Sequence, residues 1–181
     1  MTITGDDVDE GEQLAAHAEP NRAAWQRTVE DMEALATDRE AAGWDVVAVA
    51  AAHTEPVSED GGETDRYGLV HVVPDNEADA IAEACERGDF PRYDVYRGAT
   101  ETRTFLVTEL VDPDAETALL LAGNFRRYGS RGLIRTSHRT GRTYTHVQLL
   151  DGTHLGTFEH DDPGKFFPDT DLAAYRPDDG E

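Results

Sequence analysis

Residues 102–125 read TRTFLVTELVDPDAETALLLAGNF. Two apolar runs, Thr102–Val111 and Thr117–Phe125, flank Asp112-Pro113-Asp114, a triplet suited to a turn. Both runs have the length and bounding residues of strands. They decide the fold because composition alone argues the other way. Apolar residues make up 38% of the 181-residue chain, charged residues 30%, and the formal net charge is -22. Such a balance is shared with disordered chains, which lack runs of this kind. WDVVAVAAA, YGLVHVV and THVQLL repeat the pattern, so the middle of the chain folds.

Downstream, Thr143–Leu150 and Thr153–Glu159 surround Asp151-Gly152, a strong hairpin signal. The implied register sets Thr143 opposite His160 and His146 opposite Thr157. It sends His146 and His154 to opposite faces. Upstream, Tyr93–Gly98 pairs with Thr102–Val111 as a second hairpin. A helix is expected from about Asn76 to Arg87, capped by Asp75 and ended by Gly88, burying Ala78, Ile81, Ala82 and Cys85. Trp44–His53 reads as one strand and Tyr67–Val73 as its hairpin partner, across an acidic loop at 54–66. A long helix starts with Pro20 in its first turn, carries Trp25, Val29, Met32 and Ala36 on one stripe, and stops near Gly43.

This order predicts an α+β fold: a mixed or mainly antiparallel sheet, a long N-terminal helix, and one or two further helices on one face. Residues 17–168 form a single domain between acidic disordered tails at 1–16 and 169–181. Phe166 and Phe167 in the closing DDPGKFF are expected to fold back onto the body.

The single cysteine, Cys85, excludes an internal disulfide and a CxxC site. No apolar run approaches the length of a membrane span, and no apolar leader is present, so the expected location is the cytoplasm. One lysine stands against fifteen arginines, and acids are spread along most of the chain. That composition points to a halophile that keeps salt in its cytoplasm, where at about 1 M the Debye length is only about 3 Å. The alternative is an acidic protein that mimics nucleic acid.

Against that background, Thr117–Leu150 contains no Asp or Glu and holds six arginines. Arg127, Arg131, Arg135 and Arg139 recur every fourth residue, which gathers them on one face of either a helix or a strand. Ser130 and Gly141 suit the ends of a helix over 130–140; Gly132, Thr136, Ser137 and Thr140 favour a strand. On a helix, Leu133, Ile134 and Ser137 would face the core. Guanidinium groups bind carboxylates and phosphates bidentately and stack on aromatics, and Tyr128 and Tyr144 are close in sequence. Three readings follow. The arginines pair with the chain's own carboxylates, such as Glu30, Asp31, Glu33 and Asp38, or with those of a second copy in a homodimer. They bind an acidic protein partner. Or they bind nucleic acid or a phosphate ligand through short-range contacts, since salt weakens phosphate binding.

The enzymatic alternative is a metal-dependent hydrolase or nuclease. If 131–138 is a strand, His138 and His160 flank Thr143 near Asp161 and Asp162, and these four are the candidate ligands. DDPGKFF places Phe166 where a phosphate loop needs Ser or Thr, and neither HExxH, GxGxxG nor GxSxG occurs. No catalytic residue is therefore assigned and no cofactor expected. The reading is a non-enzymatic binding or accessory module that uses an arginine face.

The WDVV strand after the first helix, the VPD step into the second, the DVYR strand and the closing FEHDDPGKFF resemble a family of acidic haloarchaeal proteins of unknown function. The resemblance covers most of residues 20–168. It implies an α+β domain with a helix near 130–140, and brings no activity, cofactor or catalytic residue.

Overall fold

A computed structural model describes residues 5–58 and 67–168, with side chains from residue 17 onward. Residues 1–4, 169–181 and the greater part of the expected acidic loop lie outside the described residues. The first helix, α1 (Gly5–Ala41), extends upstream of Pro20, which lies inside it rather than in its first turn. Proline there removes one helical hydrogen bond without ending the helix.

Among the described residues, eight strands build two four-stranded sheets. The first sheet contains, in spatial order, β1 (Asp45–Ala50), β6 (Thr117–Arg126), β5 (Arg103–Asp112) and β4 (Arg92–Ala99). The second contains β2 (His53–Val57), β3 (Gly68–Val73), β7 (Thr143–Leu149) and β8 (His154–His160). Each is mixed: β1–β6 and β3–β7 are parallel, and the other neighbours antiparallel. Of the expected alternatives, a mixed or a mainly antiparallel sheet, the mixed one holds and the mainly antiparallel one does not, and the strands form two sheets rather than one. Parallel partners are joined by long connections and leave no local turn signal.

The run Trp44–His53 is two strands rather than one. At the break, the Ala51 amide donates to the Ala122 carbonyl at 2.9 Å and the Ala52 amide to the Val72 carbonyl at 2.8 Å. One amide is committed to each sheet, so the chain crosses between them there. The hairpin with 67–73 is made by β2 alone.

Alternation along β6 explains its uninterrupted apolar run. Ala118, Leu120 and Ala122 pack with Met32 of α1, while Leu119 and Leu121 meet Val73 and Val147 of the second sheet. A strand covered on both faces needs no polar side. The three α-helices among the described residues occupy three places rather than one face. α1 covers the outside of the first sheet. α2 (Ala78–Arg87) inserts Ile81 and Ala84 between the sheets near Leu110 and Leu119. α3 (Arg131–Thr140) fills the opposite end with Leu133 and Ile134, against Leu106, Phe125, Phe166 and Phe167.

The local signals near these helices hold in part. Asp75 opens a 3-10 turn, Asp75–Glu77, without capping through its side chain, and α2 begins after it. Gly141 ends α3 in the left-handed region, φ 72°, its amide donating to the Ser137 carbonyl at 2.9 Å. In the β7–β8 hairpin, Thr143 faces His160 and His146 faces Thr157 as expected. A bulge beside Val147 and Gln148 then sets His154 opposite Gln148. His146 and His154 therefore share a face, correcting the expectation that they diverge; the Asp-Gly turn cannot announce a bulge two residues away.

Candidate anion-binding site

The β5–β6 hairpin fixes the centre of the site. Its turn is held by Asp112, whose carboxylate accepts the amides of Asp89 at 2.8 Å, Asp114 at 3.1 Å and Ala115 at 3.2 Å. These bonds, that from Asp89 foremost, hold its carboxyl below the usual range. With Asp112 opposite Thr117, the ladder ends on Arg103 opposite Arg126. Two guanidinium side chains thus leave adjacent strands side by side, on the face that α1 covers.

Like charges directly opposite one another destabilise a sheet. Among the described residues, neither Arg103 nor Arg126 forms an ion pair. Arg103 donates its Nε to Asn124 Oδ1 at 2.7 Å, and burial together with the neighbouring Arg126 charge pulls its pKa down. The nearby carboxylates Glu101 and Glu55 line the openings beside this pair, each partnered by a histidine. Glu101 lies 3.7 Å from His17, and Glu55 2.9 Å from His53.

Two openings meet at this pair. One, of about 430 Å³, lies against α1 and is lined by His17, Asn21, Arg127 and Tyr128. The other, of about 470 Å³, lies against β2 and Gly129, with His53 and Thr54 on its wall. Asn21 ties the helix to the β4–β5 connection: it donates to Thr102 Oγ1 at 3.0 Å and accepts from Thr100 Oγ1 at 2.5 Å.

The segment after Phe125 is helical, which settles the two readings of 130–140. Tyr128–Ser130 make a 3-10 turn leading into α3. Leu133, Ile134 and Ser137 are buried, as a helix requires, and Arg135 and Arg139 are exposed. Arg131 is half-buried, its Nε enclosed without a hydrogen-bond partner. Arg127 donates Nη1 to the Thr100 carbonyl at 3.1 Å, beside the first opening. Tyr128 stands 87% exposed at its rim. Tyr144 is not part of this group: it lies on β7, edge-on to Tyr67 and stacked on His146. Arg39–Glu109, Arg22–Glu19, Arg142–Glu159 and Lys165–Asp94 are the arginine and lysine ion pairs between described residues, and none joins α3 to Glu30, Asp31, Glu33 or Asp38.

The candidate metal set rested on a strand at 131–138, and the helix removes that basis. His138 directs Nε2 to the Phe167 carbonyl at 2.6 Å. His160 directs Nε2 to Thr145 Oγ1 at 2.7 Å, its ring between Tyr93 and Phe166. Asp161 and Asp162 lie at the Tyr93 hydroxyl, which accepts the Asp162 amide at 2.9 Å. Among the described residues no three His, Cys, Asp or Glu side chains converge to hold a metal.

Arg103 and Arg126 were not among the residues singled out by sequence. The signal was present: a hairpin turn with 112 opposite 117 sets 103 opposite 126. Ending the second strand at Phe125 hid it.

Over residues 11–168 the sequence matches the family of unknown function DUF7529. The chain belongs to this family. The match spans both sheets, α2, α3 and the arginine cleft, so the cleft lies inside the DUF7529 region rather than on an appendage. No curated protein and no solved structure matches the chain.

Proposed function

We propose that this protein is a non-enzymatic binding module whose arginine face holds an anionic ligand. Arg103 and Arg126 form its centre, with Arg127 and Tyr128 at the rim. The observation that carries this reading is the facing guanidinium pair. In a chain with 38 acidic and 16 basic side chains, carboxylate partners are abundant, yet these two arginines face each other. A bound phosphate or carboxylate relieves the repulsion and accepts bidentate hydrogen bonds from both. Openings of about 430 and 470 Å³ match small-molecule sites, which favours a small phosphorylated or carboxylated ligand. Arg131, Arg135 and Arg139 extend the positive surface along α3, where an acidic protein, a second copy of this chain or a nucleic-acid backbone would dock.

The acidic, lysine-poor composition supports a setting in salt-rich cytoplasm, where recognition depends on contact rather than long-range attraction. Among the described residues, no helix is long and apolar enough to cross a membrane.

Calorimetric titration with pyrophosphate and with citrate in potassium chloride tests the reading. Binding is expected for the native chain and lost in Arg103→Gln and Arg126→Gln. Equal binding in both variants, or none in the native chain, would overturn it. Sedimentation and gel shift of a chain with Arg131, Arg135 and Arg139 all changed to Glu test the extended surface separately.

A further inference from the structure

The outer face of the second sheet carries a group that the anion site does not use. The β7–β8 bulge turns His154 onto the face of His146. Both imidazoles close on one oxygen: His146 Nδ1 lies 2.9 Å from Thr157 Oγ1, and His154 Nε2 lies 2.6 Å from the same atom. A hydroxyl has one proton to give and lone pairs to receive. Thr157 therefore donates to one ring and accepts N–H from the other, or accepts from both. Either way it gathers two imidazole nitrogens, from two strands, about a single point.

We infer that His146 and His154 form a site for a divalent transition metal of the zinc, copper or nickel class, centred near Thr157 Oγ1. Imidazole is a preferred ligand of these ions, and bonds of about 2.0–2.1 Å to zinc bring two such nitrogens to one centre. The site is partly preorganised. His146 is buried and its ring stacks on Tyr144 at 6.1 Å with an interplanar angle of 18°, which holds its orientation. His154 is exposed, so the site opens to solvent and an ion can enter. Bulges commonly re-aim a side chain, and this one turns His154 toward His146. Two protein nitrogens leave coordination positions for water, the Thr157 hydroxyl or an outside donor. His17 and His53 differ, each lying beside a glutamate instead of another imidazole.

Titrating the full chain with copper(II), nickel(II) and zinc(II) near neutral pH tests the site. One ion per chain is expected. His154→Ala should weaken binding roughly tenfold or more, since one of two nitrogen ligands is lost. Because His154 is exposed, that variant keeps the fold, and circular dichroism verifies it. His53→Ala, three strands away, should bind as the native chain does. Thr157→Val should retain most of the affinity, because it keeps both nitrogens. Binding should also weaken in acid, because protons compete with the ion for imidazole nitrogens. An absence of saturable binding, or equal affinity in His154→Ala, would overturn the inference. An equal loss in His53→Ala would do so too, since it would mark binding spread over surface histidines.

Discussion

A methyl group on Gly123 would stand 2.5 Å from Thr54 Oγ1 and 2.6 Å from His71 Cε1. Those atoms belong to the second sheet, so this glycine sets how closely the two sheets approach. Gly123→Ala should cost about 1–3 kcal/mol, the usual range for overpacking, read as a lower midpoint of urea unfolding. An unchanged midpoint would show that the sheets separate freely. His71 and His160 also lie between the sheets, and both are neutral there. Burial, assisted by the His146 charge, pushes His71 down to about 4. Burial also takes His160 to about 4, against the pull of Asp161 and with help from His71 and Lys165. In the unfolded chain a histidine titrates near 6.5. Below that pH the unfolded state binds protons that the folded state refuses. The stabilisation is therefore complete above about 6.5 and declines as the pH drops toward about 4, by about 1.4 kcal/mol per pH unit for each ring. His160→Phe, whose ring suits the space between Tyr93 and Phe166, should roughly halve the loss measured between pH 6 and 5. An undiminished loss would mean that His160 does not drive it.

Among the elements, α1 is attached to the first sheet by its apolar stripe, by the Asn21 hydrogen bonds to the β4–β5 connection and by the Arg39–Glu109 ion pair. Arg39 donates to Glu109 at 3.2 and 3.4 Å; the Glu109 side chain is only 4% exposed and that of Arg39 33%. Removing the arginine leaves a buried carboxylate unpaired. Arg39→Met should cost on the order of 2 kcal/mol, less than for a fully buried pair because Arg39 is partly solvated. Replacing both residues, as Arg39→Met with Glu109→Leu, should recover most of that loss; a double variant as unstable as the single would place the energy in packing instead. Elements with local signals were legible in the sequence. The short connection between 98 and 102 and the Asp151-Gly152 turn gave two hairpins, Asp112-Pro113-Asp114 gave a turn, and Met32 and Ala36 gave the buried stripe of α1. Features depending on distant partners were not legible. The break at Ala51–Ala52 is imposed by hydrogen bonds to Ala122 and Val72, which no local residue announces. The spacing of Arg127, Arg131, Arg135 and Arg139 was readable because steps of four share a face in either conformation. The facing of Arg103 and Arg126 required the hairpin to be followed one residue further, and the convergence of His146 and His154 required a bulge.

For the molecule as a whole, two electrostatic effects make opposing demands. The chain carries a net charge of -22, so self-repulsion should lower stability in dilute salt and fade as ions screen it. The Debye length falls from about 10 Å at 0.1 M to about 3 Å at 1 M. The urea midpoint should therefore rise between 0.1 and 1 M potassium chloride, and most of the rise should come early. Within that acidic field sits the Arg103–Arg126 pair, a local repulsion of the other sign. Arg126→Gln separates the two effects. It removes one positive charge and takes the net charge from -22 to -23. If the overall field governs, the variant is less stable than the native chain in dilute salt. If the facing pair governs, it is more stable, by a few tenths to about 1 kcal/mol, and the gain disappears in concentrated salt. The second outcome is expected, because the two side chains lie directly opposite on adjacent strands while most carboxylates are farther away. A variant less stable at every salt concentration would show that Arg126 serves the chain's own charge balance, and the case for an anion held between the two arginines would fail with it.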